Sequence, residues 1–161
     1  MFPGGVAGAA GTLLGMNIDG SIPPEREMLE VLGRAECLSL LASVPVGRII
    51  YTRHALPAVE LVNFAVHDGA IVFRTSASGK LAAALREAVV AFEADSLDTG
   101  HRAGWSVTAV GRARMVTGTA ELARLAGIGL RTWVPGPHEY YVRITPELVT
   151  GRRLSDHRVR N

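Results

Sequence analysis

The chain has 161 residues, 48% of them hydrophobic and 20% charged, which suffices for one buried core and is too short for two ordinary domains. No apolar run approaches the roughly 18–20 residues of a membrane-spanning helix, and the single cysteine, Cys37, excludes a disulfide framework or a multi-cysteine zinc site. Lys+Arg exceed Asp+Glu by only 17 to 15; arginine far outnumbers lysine, which suits anionic small molecules as well as nucleic acid. The expected compartment is a reducing cytoplasm.

Residues 1–20, rich in Gly and Ala, read as a flexible extension, because no Lys or Arg precedes the apolar stretch as a signal peptide requires. Residues 21–161 form the folded domain. Pro23 and Pro24 open a helical stretch in which Met28, Leu29 and Leu32 recur at helical spacing, and Gly33 stops it. A second helix runs from Arg34 to Ser43 and buries Cys37, Leu38 and Leu41. Past Pro45 and Gly47 the period changes to two. Strands are expected over Gly47–Thr52 and Ala58–Val66, and Asp68-Gly69 turns the latter into Ala70–Thr75, the clearest hairpin signal in the chain. A helix over Lys80–Arg86 and a strand over Ala88–Ala94 follow. Trp105–Thr117 is a long strand with Gly111 as bend or bulge. Ala120–Leu130 is a short helix, and strands Tyr140–Ile144 and Leu148–Leu154 close the domain. The connections are too short for parallel crossovers, so the sheet is antiparallel and the fold a small barrel.

The strand over 58–66 departs from simple alternation. Val62, Phe64 and Val66 share one face, whereas Val59, Leu61 and Ala65 share the other with Asn63. Both faces are therefore covered. One is the barrel interior; the other needs a helix, a ligand or a second subunit.

The most informative run is Phe73-Arg74-Thr75-Ser76-Ala77-Ser78-Gly79-Lys80. A strand ends in Arg and Thr, a small polar turn follows, and a helix starts near Lys80. Helix N-termini present unpaired N–H groups and favour negative charge, so a lysine in the first turn is unfavourable unless an anion is bound. Ser78 as a plain N-cap with a solvated Lys80 explains the same residues. The run is not a nucleotide P-loop, because Leu81 follows the lysine.

With its surroundings, that run resembles the FMN-binding split-barrel family related to pyridoxamine 5'-phosphate oxidase, in the bacterial branch that also holds nitroimidazole-reductase-like proteins. The similar segments are Glu36-Cys37-Leu38 to Pro45-Val46-Gly47-Arg48-Ile49, then Val62-Asn63-Phe64-Ala65 and the anion run. Val90-Ala91-Phe92-Glu93-Ala94-Asp95, Gly104-Trp105-Ser106-Val107, Gly111-Arg112-Ala113 and Val149 to Leu154 follow in order. The resemblance implies a six-stranded antiparallel Greek-key split barrel with flanking short helices, a homodimer with FMN between its subunits. By position, Arg74, Thr75, Ser76 and Lys80 would hold the phosphate and Val62 and Asn63 would lie along the isoalloxazine. Trp105 and Ser106 would approach from the other subunit. Read from the residues alone, Trp105 serves equally as a barrel-end core residue, and Asn63 as a group satisfying backbone at a bulge.

The implied activity is electron or hydride transfer between a nicotinamide donor and a small organic molecule, with a non-catalytic flavin- or haem-binding module as the alternative and a deazaflavin as the alternative cofactor. The tail from Arg152 to Arg158 does not reproduce the basic pattern that grips the B6 phosphate in the oxidases proper. The sequence singles out no catalytic acid or base. His54, His67, His101, His138 and His157 lack metal-ligand spacing. Arg152, Arg153, Arg158 and Arg160 lack the aromatics or groove-entering motif of a nucleic-acid site, so neither metal, nucleic acid nor membrane is expected.

Overall fold

The computed structural model describes residues 29–75, 85–133 and 140–155. In chain order they form β1 (Leu29–Leu32), α1 (Arg34–Ala42), β2 (Val46–Arg53), β3 (Leu56–His67), β4 (Ala70–Thr75), β5 (Val89–Asp98), β6 (Ala103–Met115), α2 (Thr119–Ala126) and β7 (Tyr140–Leu154). The sheet order is β1-β7-β4-β3-β2-β5-β6, and β7 pairs again with β6. Six strands therefore close on themselves, all antiparallel, with β1 added at the end of β7. No helix among the described residues is long and apolar enough to cross a membrane.

The barrel interior follows from the period-two pattern. Ile49 and Tyr51 of β2, Phe64 of β3, Ile71 and Phe73 of β4 and Phe92 of β5 form one cluster with Val107 of β6 and Val142 and Ile144 of β7. Phe64 and Phe92 meet edge to face, 4.7 Å between centroids. Helix α1 closes the interior with buried Cys37 and Leu41. A smaller cluster lies outside the barrel, where Val72 packs with Val116 and Leu125, and Leu122, Ile128, Leu130 and Tyr141 border it. Helix α2 thus covers β4 and the neighbouring part of β7.

The β3–β4 hairpin turns at Asp68-Gly69, both with positive φ of 49° and 69°, the conformation that favours glycine at the second position. At the expected bulge, Val110 pairs with Leu148 but Gly111 with Pro146. Glu147 is therefore the extra residue, and a side chain at Gly111 would run into the Thr145 carbonyl.

Four expectations need correction. Leu29–Leu32 is a strand, not helix, because its register with residues 151–154 of β7 supplies ladder bonds that short-range helical spacing does not foresee. Tyr140–Ile144 and Leu148–Leu154 are one strand, since the bulge absorbs Pro146 without breaking the ladder. The strand at Ala88–Ala94 runs on to Asp98, its acidic residues gaining a ladder with β6 and an arginine partner. Helix α2 stops at Gly127. Of the expected Lys80–Arg86 helix, residues 80–84 lie outside the described residues, and Leu85–Glu87 is a turn.

The two-faced β3 divides along its length. Ala65 pairs with Val72, the residue beneath α2, and is half-buried. Val59 and Leu61 on the same face are 59% and 68% exposed. One half lies beside the α2 cluster, and the other half is exposed.

Candidate functional site

The antiparallel ladder sets Asn63 and Arg74 on one face of adjoining strands, with Val62 and Thr75 next to them in the chain but on the opposite face. Phe64 pairs with Phe73, so Asn63 and Arg74 each lie one residue beyond that pair on adjoining strands. Val62 packs half-buried against the barrel core. Arg74 pairs with Tyr141 and its guanidinium lies 5.3 Å from the ring centroid, a cation–π arrangement that holds the group in place. Thr75, the next residue, is buried at 6% exposure and pairs with Tyr140. Tyr140 also lines a recess of about 520 Å³ with Arg86, Glu87, Met115 and Thr117. Ser76 and Lys80 lie outside the described residues.

Asn63 is engaged within the protomer. Its Nδ2 donates to the Pro45 carbonyl at 3.4 Å, and its Oδ1 accepts the Trp133 backbone N–H at 2.8 Å. Trp133 itself is 70% exposed. No sequence feature drew attention to this tryptophan. An aromatic before the Pro-Gly-Pro run was the signal available, and it is as common in a plain turn.

Trp105 and Ser106 are elsewhere. Trp105 opposes Arg153 across the β6–β7 ladder, twelve residues further along β7 than the Tyr141 that opposes Arg74. That is about 40 Å of strand contour. Trp105 is half-buried against the core and lines an open pocket of about 400 Å³ with His101, Ala103, Gly104, Arg153, Leu154 and Ser155. Ser106 is exposed and, being the next residue on a strand, faces the other way. The two groups of anticipated residues are therefore separate within one chain. The first offers cationic and hydroxyl donors and the second an aromatic wall.

Two of the ion-paired residues, Arg153 and His101, line the Trp105 pocket. Arg153 reaches Glu36 at 2.6 Å and Glu30 at 3.2 Å, which keeps its guanidinium firmly protonated. His101 Nδ1 lies 2.8 Å from Asp98 Oδ2, and this contact holds the Asp98 carboxyl below its ordinary range. Glu121 of α2 accepts both 2.9 Å bonds of Arg114 and one of 3.4 Å from Arg143; Arg114 above all lowers its pKa. Arg48 bridges Glu93 and Asp95 on the outer sheet face at 2.9 and 2.5 Å. In the barrel, burial and then the Glu60 carboxylate raise the pKa of the Tyr51 phenol. Burial likewise raises that of the Cys37 thiol. Among the described residues no group of three His, Cys, Asp or Glu side chains could hold a metal.

The model of the family described as pyridoxamine 5'-phosphate oxidase matches residues 33–153. The uncharacterized protein Rv0080 of Mycobacterium tuberculosis is 43% identical over 134 residues, 80% of this chain and 87% of that protein. Among solved structures, an FAD binding protein from Mycobacterium smegmatis aligns with a TM-score of 0.68 at 37% identity, covering 78% of this chain and 98% of its own. An FAD-binding protein from Mesorhizobium loti shares the fold at a TM-score of 0.62 and 23% identity, covering 80% and 99% of the two chains.

Proposed function

The chain belongs to the pyridoxamine 5'-phosphate oxidase family, and from that premise we propose that it is a homodimeric, FMN-dependent oxidoreductase whose ligand cleft is completed by the second subunit. The separation of the two half-sites along β7 carries this reading. The Trp105 pocket lacks the Arg74 donors, and its own arginine is already bracketed by Glu30 and Glu36. A two-fold dimer brings the first half of one subunit to the second half of its partner, as isologous association permits. The bare apolar residues Val59 and Leu61 give such a dimer something to bury.

The residues present fit the ligand. Arg74 and Thr75, with Ser76 and Lys80 following them in the sequence, would supply the donors for a phosphate ester. Val62 contributes apolar surface beside it, and Asn63 lies at the polar edge. Trp105 of the partner subunit supplies the flat wall, with Ser106 of the partner subunit beside it on the strand. When bound, a flavin supplies hydride or electron transfer from a nicotinamide donor to a small organic acceptor. The protein's part is to grip the phosphate, orient the ring and limit water at its face. FAD, which the M. smegmatis protein is described as binding, carries a diphosphate that the same donors could meet.

The spectrum and mass of the copurifying molecule separate FMN, FAD and a deazaflavin. Titration with FMN, FAD and riboflavin then tests the phosphate corner. FMN is expected to bind far more tightly than riboflavin, and Arg74→Ala with Lys80→Ala to abolish that preference. Lys80 is the only lysine in the chain, so bound FMN should protect one side-chain amine from acylation. Equal affinity for riboflavin and FMN would overturn the assignment. Bleaching by NADPH or NADH and reoxidation by an added acceptor mark an oxidoreductase, whereas retained flavin that neither nucleotide bleaches marks a binding module.

A further inference from the structure

We propose that Asn63 is a positioning residue whose amide fixes Trp133 beside the phosphate corner, and that the Trp133 indole is a platform for the flat ring of the bound ligand. This rests on the flavin reading above. After α2 the chain packs Ile128 and Leu130 on the small outer cluster that Tyr141 borders. Three residues past Leu130, the Trp133 N–H reaches Asn63 Oδ1. The segment therefore crosses the outer face from β7 past β4 to β3. Arg74 lies on the strand between these two anchors, stacked on Tyr141 on one side.

The amide is used in both senses. Its nitrogen donates to one backbone carbonyl and its oxygen accepts from one backbone N–H. Turning it over would set oxygen against carbonyl and nitrogen against N–H, so the two partners fix its orientation. An Asn63 that bonded the ligand directly would have to surrender these contacts. Beside it stands an indole tethered through its own backbone yet 70% exposed. A large aromatic held in place but left uncovered gains most by stacking on a planar ring, and the cation one strand away suits that ring's phosphate.

The test is titration with FMN, followed by the emission of the bound flavin, for the full chain and for Trp133→Ala, Trp133→Phe, Asn63→Ala and the double variant. Circular dichroism and sedimentation check fold and assembly. Trp133→Ala should weaken FMN binding roughly tenfold and raise the emission that a stacked indole quenches. Trp133→Phe should fall between it and the unaltered chain. Asn63→Ala should move both readouts the same way, and the double variant should be no weaker than Trp133→Ala, since contacts acting through one another are not additive. Should Asn63→Ala fail to fold, Asn63→Asp keeps the acceptor for the Trp133 N–H, and its bound flavin should stay quenched. Unchanged affinity and emission in Trp133→Ala overturn the platform. An Asn63→Ala loss that persists in full without Trp133 overturns the positioning role. A wild-type chain that binds no flavin overturns the flavin reading and this inference together.

Discussion

The two ends of β7 treat an arginine in opposite ways. Near its start the strand places Tyr141 beneath Arg74, a cation against a π-face. Near its end it carries Arg153 between Glu30 and Glu36. A ring face fixes the position and plane of a guanidinium, and two carboxylates leave one little attraction for a further anion. Net charge alone therefore says little about where an anion binds on this arginine-rich chain. In the proposed function the first end serves the phosphate and the second, with Trp105, the ring.

The sharpest way to break this contrast is to place the two defects on different subunits. Arg74→Ala and Trp105→Ala homodimers should each bind flavin poorly. After the two are unfolded together and refolded, mixed dimers carry one intact site each, so about a quarter of all sites should recover. No recovery means that both halves serve the same subunit or none. Leu61→Glu should have the next largest effect. Leu61 is 68% exposed in the protomer, so a monomer tolerates the charge, but a dimer burying that face does not, because an unpaired buried carboxylate is costly. The expected result is a folded monomer by sedimentation with flavin affinity lost. A dimer with unchanged affinity would place the interface elsewhere.

Much of this was legible before any coordinates. The Asp68-Gly69 hairpin and the Gly111 bulge follow from turn chemistry, and the shared face of Val62, Phe64 and Val66 from period-two patterning. So does the two-sided character of β3, though only the fold divides it between α2 and an uncovered patch. The strand at Leu29–Leu32 was not legible, because its structure comes from β7, more than a hundred residues away. Local spacing carries no trace of such a partner. The distance between Arg74 and Trp105 was likewise hidden: sequence order says nothing of the twelve-residue offset that β7 imposes. The Asn63–Trp133 contact joins residues 70 apart and could not be read from either neighbourhood.

Smaller effects refine the contrast by asking which ion pairs hold structure. Glu121 is the stronger case, because its side chain is 18% exposed and two arginines share it. Its folded pKa is lowered, chiefly by the Arg114 hydrogen bonds, so its stabilisation is complete above the ordinary carboxyl value of 4.5. It is lost as pH falls through the lower folded value. Glu121→Gln should cost about 1 kcal/mol at neutral pH, read by denaturant midpoint, and the gap to wild type should close in acid. A gap that stays constant would mean that the side chain matters by packing α2 rather than by charge. Glu30→Gln should do least. Its carboxylate is 57% exposed and pairs with Arg153 at 3.2 Å while Glu36 keeps the shorter bond, so solvent screening leaves about 0.5 kcal/mol or less. Riboflavin and FMN affinities should both be unaltered, since Arg153 is still neutralised by Glu36. If Glu30→Gln instead strengthened FMN over riboflavin, Arg153 would be an anion site held in check by β1, and the two ends of β7 would differ in degree rather than in kind.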